Sequence, residues 1–344
     1  MEDRDIVLEV KNLTTHFKIG NKDVPIVKDV SFNLRRGKTM AIVGESGCGK
    51  SVTINSIMNL LPKNATTTAT DIKYTKFDGG KKSEFHLNKM APYGKEMRDL
   101  RGADIGMVFQ DPMSSLNPLH RIGRQVMEGL LEHNPHMKKD EAKREVIKLL
   151  KKLEISDPEN RFNCYPHQFS AGMKQRVVIA IAMICEPEII IADEPTTALD
   201  VTIQAQIMSL MKKLQTQEGK SIILITHNMG LVADIADDVC IMYMGRVVEI
   251  GPVAEIFEKP THPYTRALLK SIPVLGMDKN AELTTIPGIA PNPHGLLEGC
   301  DFANRCEFAT KKCREGSIPL VELGNDHNIR CVRYPEFLDE VKYD

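Results

Sequence analysis

The octapeptide Gly44-Glu45-Ser46-Gly47-Cys48-Gly49-Lys50-Ser51 constrains this chain more than any other stretch. It satisfies G-x-x-x-x-G-K-[ST] in full. A short apolar run, Met40 to Val43, precedes it, and helical spacing follows from Ser51 to Leu61, ending at Pro62. A buried strand, a glycine-rich loop and a helix in that order demand an α/β layer. Glycines let the backbone wrap so closely that its N–H groups converge into an anion nest, and the helix N-terminus adds its positive end. The spacing predicts a phosphate loop. Lys50 reaches the outer phosphates of a nucleotide, Ser51 offers a hydroxyl to Mg²⁺, and Val52 completes the set. Cys48 is a small residue that fits the loop, and its thiol makes alkylation in the absence of nucleotide a test of the site.

The rest of the chain fits that layer. Ile6 to Val10, Val30 to Leu34, Ile105 to Phe109, Ile189 to Ala192 and Ile222 to Ile225 read as strands. Residues 122–133, 138–153, 171–186 and 201–217 read as helices, and 63–100 as a strand-and-loop insertion. Strands alternating with helices argue for an α/β fold with a mostly parallel sheet. The 344 residues are enough for two domains. After residue 250 the chain is broken by prolines 252, 260, 263, 273, 287, 291 and 293, which places a boundary near 255. The expected domains are 1–255, containing a helical subdomain at about 112–187, and a Pro-rich, Cys-rich extension at 256–344. Forty-five Lys and Arg oppose 46 Asp and Glu, so bulk positive charge is not available for binding nucleic acid. The longest apolar run is nine residues, Val177 to Cys185, against the roughly 20 that a membrane span needs. The acidic N-terminus lacks the apolar core of a signal peptide. A soluble or peripheral, cytosolic chain is expected.

Three further stretches carry chemistry. The strand Ile189 to Ala192 ends in Asp193-Glu194, delivering carboxylates to a sheet edge, although many strands end in acidic turns. Asp193 suits Mg²⁺ ligation and Glu194 the polarisation of a water. Ser170-Ala171-Gly172-Met173 places an N-cap and small residues before an apolar helix, an end that binds phosphate or is simply capped. Together with the phosphate loop, these stretches resemble the ATP-binding-cassette (ABC) ATPases. Ser170 to Met173 then matches the signature loop, with Ala171 and Met173 in place of the usual glycine and glutamine. The resemblance implies that Gln110 is the Q-loop residue touching Mg²⁺ and the attacking water, that Ala198-Leu199-Asp200 is the D-loop, and that His227 senses the γ-phosphate. It also implies that Phe17 stacks on adenine, a core Phe being the alternative. Two cassettes would pair head to tail around two ATPs.

Phe109 to Pro118, Tyr165-Pro166-His167 and His262 to Leu269 are similar to the dipeptide and oligopeptide importers, and Ser51-Val52-Thr53 to their D-type ATPase. The resemblance implies a peripheral subunit at the cytoplasmic face of the bacterial cell membrane. Its implied partners are an F-type ATPase, two permeases and an extracytoplasmic solute-binding protein, with no nucleic acid. Nickel or another small solute is the alternative cargo. A soluble cassette working on nucleic acid or ribosomes is a more distant reading. Cys300, Cys306, Cys313 and Cys331 fall within 32 residues. Their spacing lacks the close pairs of common zinc sites. The run Gly299 to Cys306 resembles the D-type subunits that carry a [4Fe–4S] cluster, which is the expectation here, with Zn²⁺ or no metal as alternatives.

Overall fold

The structure, a computed structural model, describes residues 6–197, 199–272, 286–288 and 299–337. Ala198 and prolines 273, 291 and 293 therefore lie outside the described residues. In chain order the strands are β1 (Ile6–Ile19), β2 (Lys22–Arg35), β3 (Thr39–Val43), β4 (Ala65–Thr68), β5 (Asp71–Asp78), β6 (Lys81–His86) and β7 (Ile105–Val108). They continue with β8 (Ile189–Asp193), β9 (Ser221–Thr226), β10 (Asp238–Tyr243), β11 (Arg246–Pro252), β12 (Val321–Gly324) and β13 (His327–Ile329). The strands expected at 6–10 and 30–34 are the ends of much longer ones. The insertion at 63–100 does contain strands, β4 to β6. The chain divides into two compact units.

The first unit comprises Met1–Leu8, Leu34–Thr39 and Lys73–Ile225. Its parallel strands β7, β8 and β9 pair in register, Ile105 opposite Ile189 and Ile191 opposite Ile223. Both faces of β8 are covered, which is why it reads as an unbroken apolar run rather than an alternating one. The helix Ala171–Met183 lies directly against β7. A Cβ on Gly106 would meet the Ala182 carbonyl oxygen at 2.1 Å, so only glycine permits that approach. The helix Lys139–Lys152 buries Ala142, Val146, Leu149 and Leu150 on one face. Asp140 and Glu141 in its first turn and Lys151 and Lys152 in its last complement the helix dipole. The helix Val201–Glu218 starts at Asp200 and stops at Gly219, whose φ of 67° is the left-handed C-terminal cap that glycine favours.

The second unit comprises Glu9–Asn33, Met40–Ile72 and Thr226–Asp344. Here β3 pairs in parallel with β10, Met40 opposite Asp238, and β10 turns back antiparallel into β11. Strand β11 then pairs with β13, Glu249 opposite Ile329, and β13 with β12. Residues more than 75 positions downstream thus extend the same sheet as the strand before the phosphate loop. The core beneath it joins Ala41 and Val43 to Ile241, Tyr243, Tyr264 and Phe302. The ring of Tyr264 lies 4.7 Å from that of Tyr243, and Phe302 lies 5.3 Å from both. The helix Pro263–Lys270 has Pro at its first position and His262 as its cap, with Nδ1 accepting from the Tyr264 N–H at 3.1 Å.

Candidate nucleotide site

The phosphate loop leaves β3 after Val43 and enters the helix Lys50–Ile57. Gly47 and Gly49 have φ of 79° and 102°, which side-chain-bearing residues rarely adopt. A Cβ on Gly44 would sit 2.2 Å from the Met242 carbonyl oxygen. The loop is pinned by Gly245 N–H donating to the Cys48 carbonyl at 2.8 Å, and Lys28 N–H in turn donates to the Gly245 carbonyl at 2.8 Å. The buried Lys50 ammonium folds back into the loop, donating to the carbonyls of Gly44 at 2.8 Å and Glu45 at 3.1 Å. Ser51 and Val52 follow in the first helical turn, both half-buried. Cys48 is buried, and burial raises its thiol pKa despite neighbouring Lys50, so the loop thiol is shielded from alkylating reagents. Phe17 stands half-buried in β1 opposite Ala65 of β4, and the exposed His227 directly follows β9.

Within the first unit, Gln110 and Glu194 meet. The Gln110 Nε2 donates to Glu194 Oε2 at 3.2 Å, and Thr197 Oγ1 donates to the same oxygen at 2.9 Å. Thr197 was not anticipated from the sequence. A hydroxyl three residues after Glu194 is the signal that could have found it. The Glu194 N–H donates to the Ile225 carbonyl at 3.0 Å, and its φ of 45° turns the chain sharply out of β8. Asp193, the last residue of β8, is buried. Ser170 caps the helix Ala171–Met183 through an Oγ that accepts from Met173 N–H at 3.3 Å. Gly172 lies where a Cβ would meet Ile203 Cγ2 at 2.8 Å. Asp200 caps the next helix, Oδ1 accepting from Ile203 N–H at 2.9 Å. The Gln204 amide donates to the carbonyls of Thr196 and Leu199.

The four clustered cysteines require a correction. Among the described residues, no group of three or more His, Cys, Asp or Glu side chains is placed to hold a metal ion. Cys300, Cys306, Cys313 and Cys331 line a cavity of about 20 Å³ shared with Phe302 and Phe308. That is about the room of one water. Burial pushes the Cys300 thiol up to about 12 and Cys306 up to about 11, and raises Cys331. Cys300 and Cys306 pack against the core around Tyr264 and Phe302 as small apolar side chains. Neither the [4Fe–4S] expectation nor its zinc alternative stands.

Two family models match the chain, one described as ABC transporter over residues 27–197 and one as the C-terminal region of oligopeptide/dipeptide transporters over 248–313. The dipeptide transport ATP-binding protein DppD of Bacillus subtilis is 48% identical over 326 residues, covering 94% of each chain. The oligopeptide transport ATP-binding protein OppD of the same organism is 46% identical, covering 94% of this chain and 88% of its own. Among solved structures, a dimeric post-hydrolysis state of the ATP-binding cassette MJ0796 bound to ADP and Pi matches with a TM-score of 0.60 and 29% identity. That match covers 72% of this chain and 98% of the other.

Proposed function

This chain belongs to the ABC transporter ATPases, in the branch of the dipeptide and oligopeptide importers, and on that premise we propose how its residues divide the work. The protein is the ATP-binding, ATP-hydrolysing subunit of a peptide importer, and it works with membrane permease subunits. Among the described residues no helix is long and apolar enough to cross a membrane. A peripheral position on the cytoplasmic face is our reading of that pairing. The match at 248–313 to a peptide-transporter region favours peptide over nickel as cargo.

The observation that carries the chemistry is the Glu194 carboxylate, held by Gln110 and Thr197 at the end of a buried strand. In the proposed reaction Glu194 orients the water that attacks the γ-phosphorus and takes its proton. Lys50 neutralises charge on the outer phosphates, and Gln110 and His227 report the γ-phosphate. Ser51, Gln110 and Asp193 supply the oxygen donors that suit Mg²⁺, whose part when bound is to offset phosphate charge. Phe17 is the proposed adenine platform. Gly44 to Val52 cradle the phosphates. Ser170 to Met173 and Asp200 are offered to the ATP of a second cassette. That cassette is proposed to be an F-type subunit, with two permeases and an extracytoplasmic solute-binding protein completing the importer. The reading keeps a cassette at 1–255, with the helical subdomain at about 112–187, and an extension at 256–344; the separate matches at 27–197 and 248–313 support two parts without locating the boundary.

Glu194→Gln tests the reading. It should bind ATP as the native chain does while turnover falls about a hundredfold or more, the usual contribution of a general base. Near-native hydrolysis would remove Glu194 from its role.

A further inference from the structure

One residue of the phosphate loop carries a charge of the wrong sign for its work. Glu45 sits between Gly44 and Ser46, among the N–H groups that are to receive phosphate oxygens, and a carboxylate there repels them. The structure matches it with a cation. Arg305 grips Glu45 with both prongs of its guanidinium, 2.6 Å to Oε2 and 3.0 Å to Oε1. Such a two-bond fork is the strongest form of ion pair at a protein surface. The remaining Arg305 donors are also used, by Tyr243 Oη at 3.3 Å, the Pro287 carbonyl at 2.9 Å and the Ile286 carbonyl at 3.4 Å. The Arg305 side chain is 5% exposed and that of Glu45 30%, so the pair is partly screened by solvent. A second contact falls on the same residue. The Tyr264 hydroxyl accepts from the Glu45 backbone N–H at 3.0 Å, and the Tyr264 ring is fully buried against Tyr243 and Phe302.

We propose that Arg305 and Tyr264 are positioning residues for ATP: the C-terminal segment neutralises Glu45 and fixes the first turn of the phosphate loop, so nucleotide affinity is set partly from outside the ATPase motifs. The inference rests on the nucleotide reading above. The sequence run Gly299 to Cys306, which suggested a metal cluster, contains the arginine that does this.

The test uses the intact chain, a fluorescent ATP analogue for affinity and phosphate release for turnover. Arg305→Gln strands the Glu45 carboxylate and should weaken nucleotide binding about tenfold, the equivalent of one charge-assisted contact. The weakening should show in KM far more than in kcat and shrink with added salt. Glu45→Gln removes the same ion pair together with the offending charge, so it should lose less affinity than Arg305→Gln. The double variant Glu45→Gln/Arg305→Gln should recover most of the affinity lost by Arg305→Gln, which a merely structural arginine does not allow. An Arg305→Gln chain with native affinity, or a double variant as weak as Arg305→Gln, overturns the proposal. If Arg305→Gln does not fold, Arg305→Lys, which keeps the charge and loses the fork, should keep most of the native affinity, and a tenfold loss there overturns the proposal. A native chain that neither binds nor hydrolyses ATP would instead overturn the function on which the inference rests.

Discussion

Gly172 shows how little room single residues have here. Its missing Cβ is filled by Ile203, a branched side chain at the start of the next helix. Gly172→Ala should therefore cost about 1–3 kcal/mol, the usual price of overpacking, read as a lower denaturant midpoint. Gly44→Ala is harsher, because the obstacle at 2.2 Å is a backbone carbonyl that no rotamer can move. That variant should lose nucleotide binding altogether, measured with the same fluorescent analogue. Cys48 offers a chemical probe of the loop. With the thiol buried and its pKa raised, iodoacetamide at neutral pH should leave hydrolysis intact over times that alkylate the half-buried Cys164. Rapid inactivation blocked by ATP would show that the loop opens. Gly44 to Ser51 was legible in the sequence because its residue types and spacing are local, even though the Met242 carbonyl that demands glycine at 44 is not. Arg305 was not, because its partner stands 260 positions away and nothing in an isolated Arg-Cys pair points to a glutamate.

Elements announce themselves to the extent that their caps and periodicity are local. The helices at 122–133 and 201–217 were readable to within a residue, since Asp200 and Gly219 mark the ends of the second in the usual way. The long β1–β2 pair was not, because its buried residues, among them Leu13, Thr15, Val24 and Val27, stand between polar ones that break the apolar run. The segment His262-Pro263-Tyr264 is the start of a helix. His262 is buried as that helix's cap. Burial pulls its pKa down to about 4, against the pull of nearby Glu249, while the unfolded chain keeps the ordinary value near 6.5. Between those values the unfolded state binds a proton that the native state refuses, so stability is full above about pH 6.5 and falls as pH drops toward 4. The integrated loss is about 3 kcal/mol. Burial also raises Glu249, yet hydrogen bonds from His327 and Thr261 outweigh it and hold its pKa below the usual value. Its own loss therefore comes at lower pH, below that of an ordinary Glu. His262→Asn keeps a capping acceptor and removes the titration. Denaturant midpoints compared at pH 7.5 and 4.5 should drop less for the variant. Equal drops would mean that His262 does not carry the effect.

At the scale of the whole molecule, the order of the chain and the order in space diverge. Composition and proline spacing suggested a cassette followed by an appendage. In the structure, the phosphate loop and residues 299–337 lie in one compact unit. Strand β13 pairs with β11, and Phe302 completes the aromatic core around Tyr264. The buried Glu249 accepts from His327 at 2.8 Å, from the backbone of Thr261 and His262, and from the Thr261 hydroxyl. Removing His327 would leave that carboxylate short of a partner, the costliest kind of loss in a core. A chain ending at residue 298 should accordingly not behave as a free-standing cassette. It is expected to melt well below the intact chain by circular dichroism and to bind an apolar dye before melting. A truncated chain with the intact melting point would show that the ATPase part stands alone. The fork between Glu45 and Arg305 also has a consequence in time. A ribosome adding about 5–20 residues per second needs tens of seconds to travel from one of those positions to the other. Throughout that interval the growing chain carries a complete phosphate-loop sequence without the arginine that quiets its glutamate. On the proposal above, a chain grown past the phosphate loop but short of Arg305 should bind ATP more weakly than the finished fold, and its affinity should rise once Arg305 has left the tunnel.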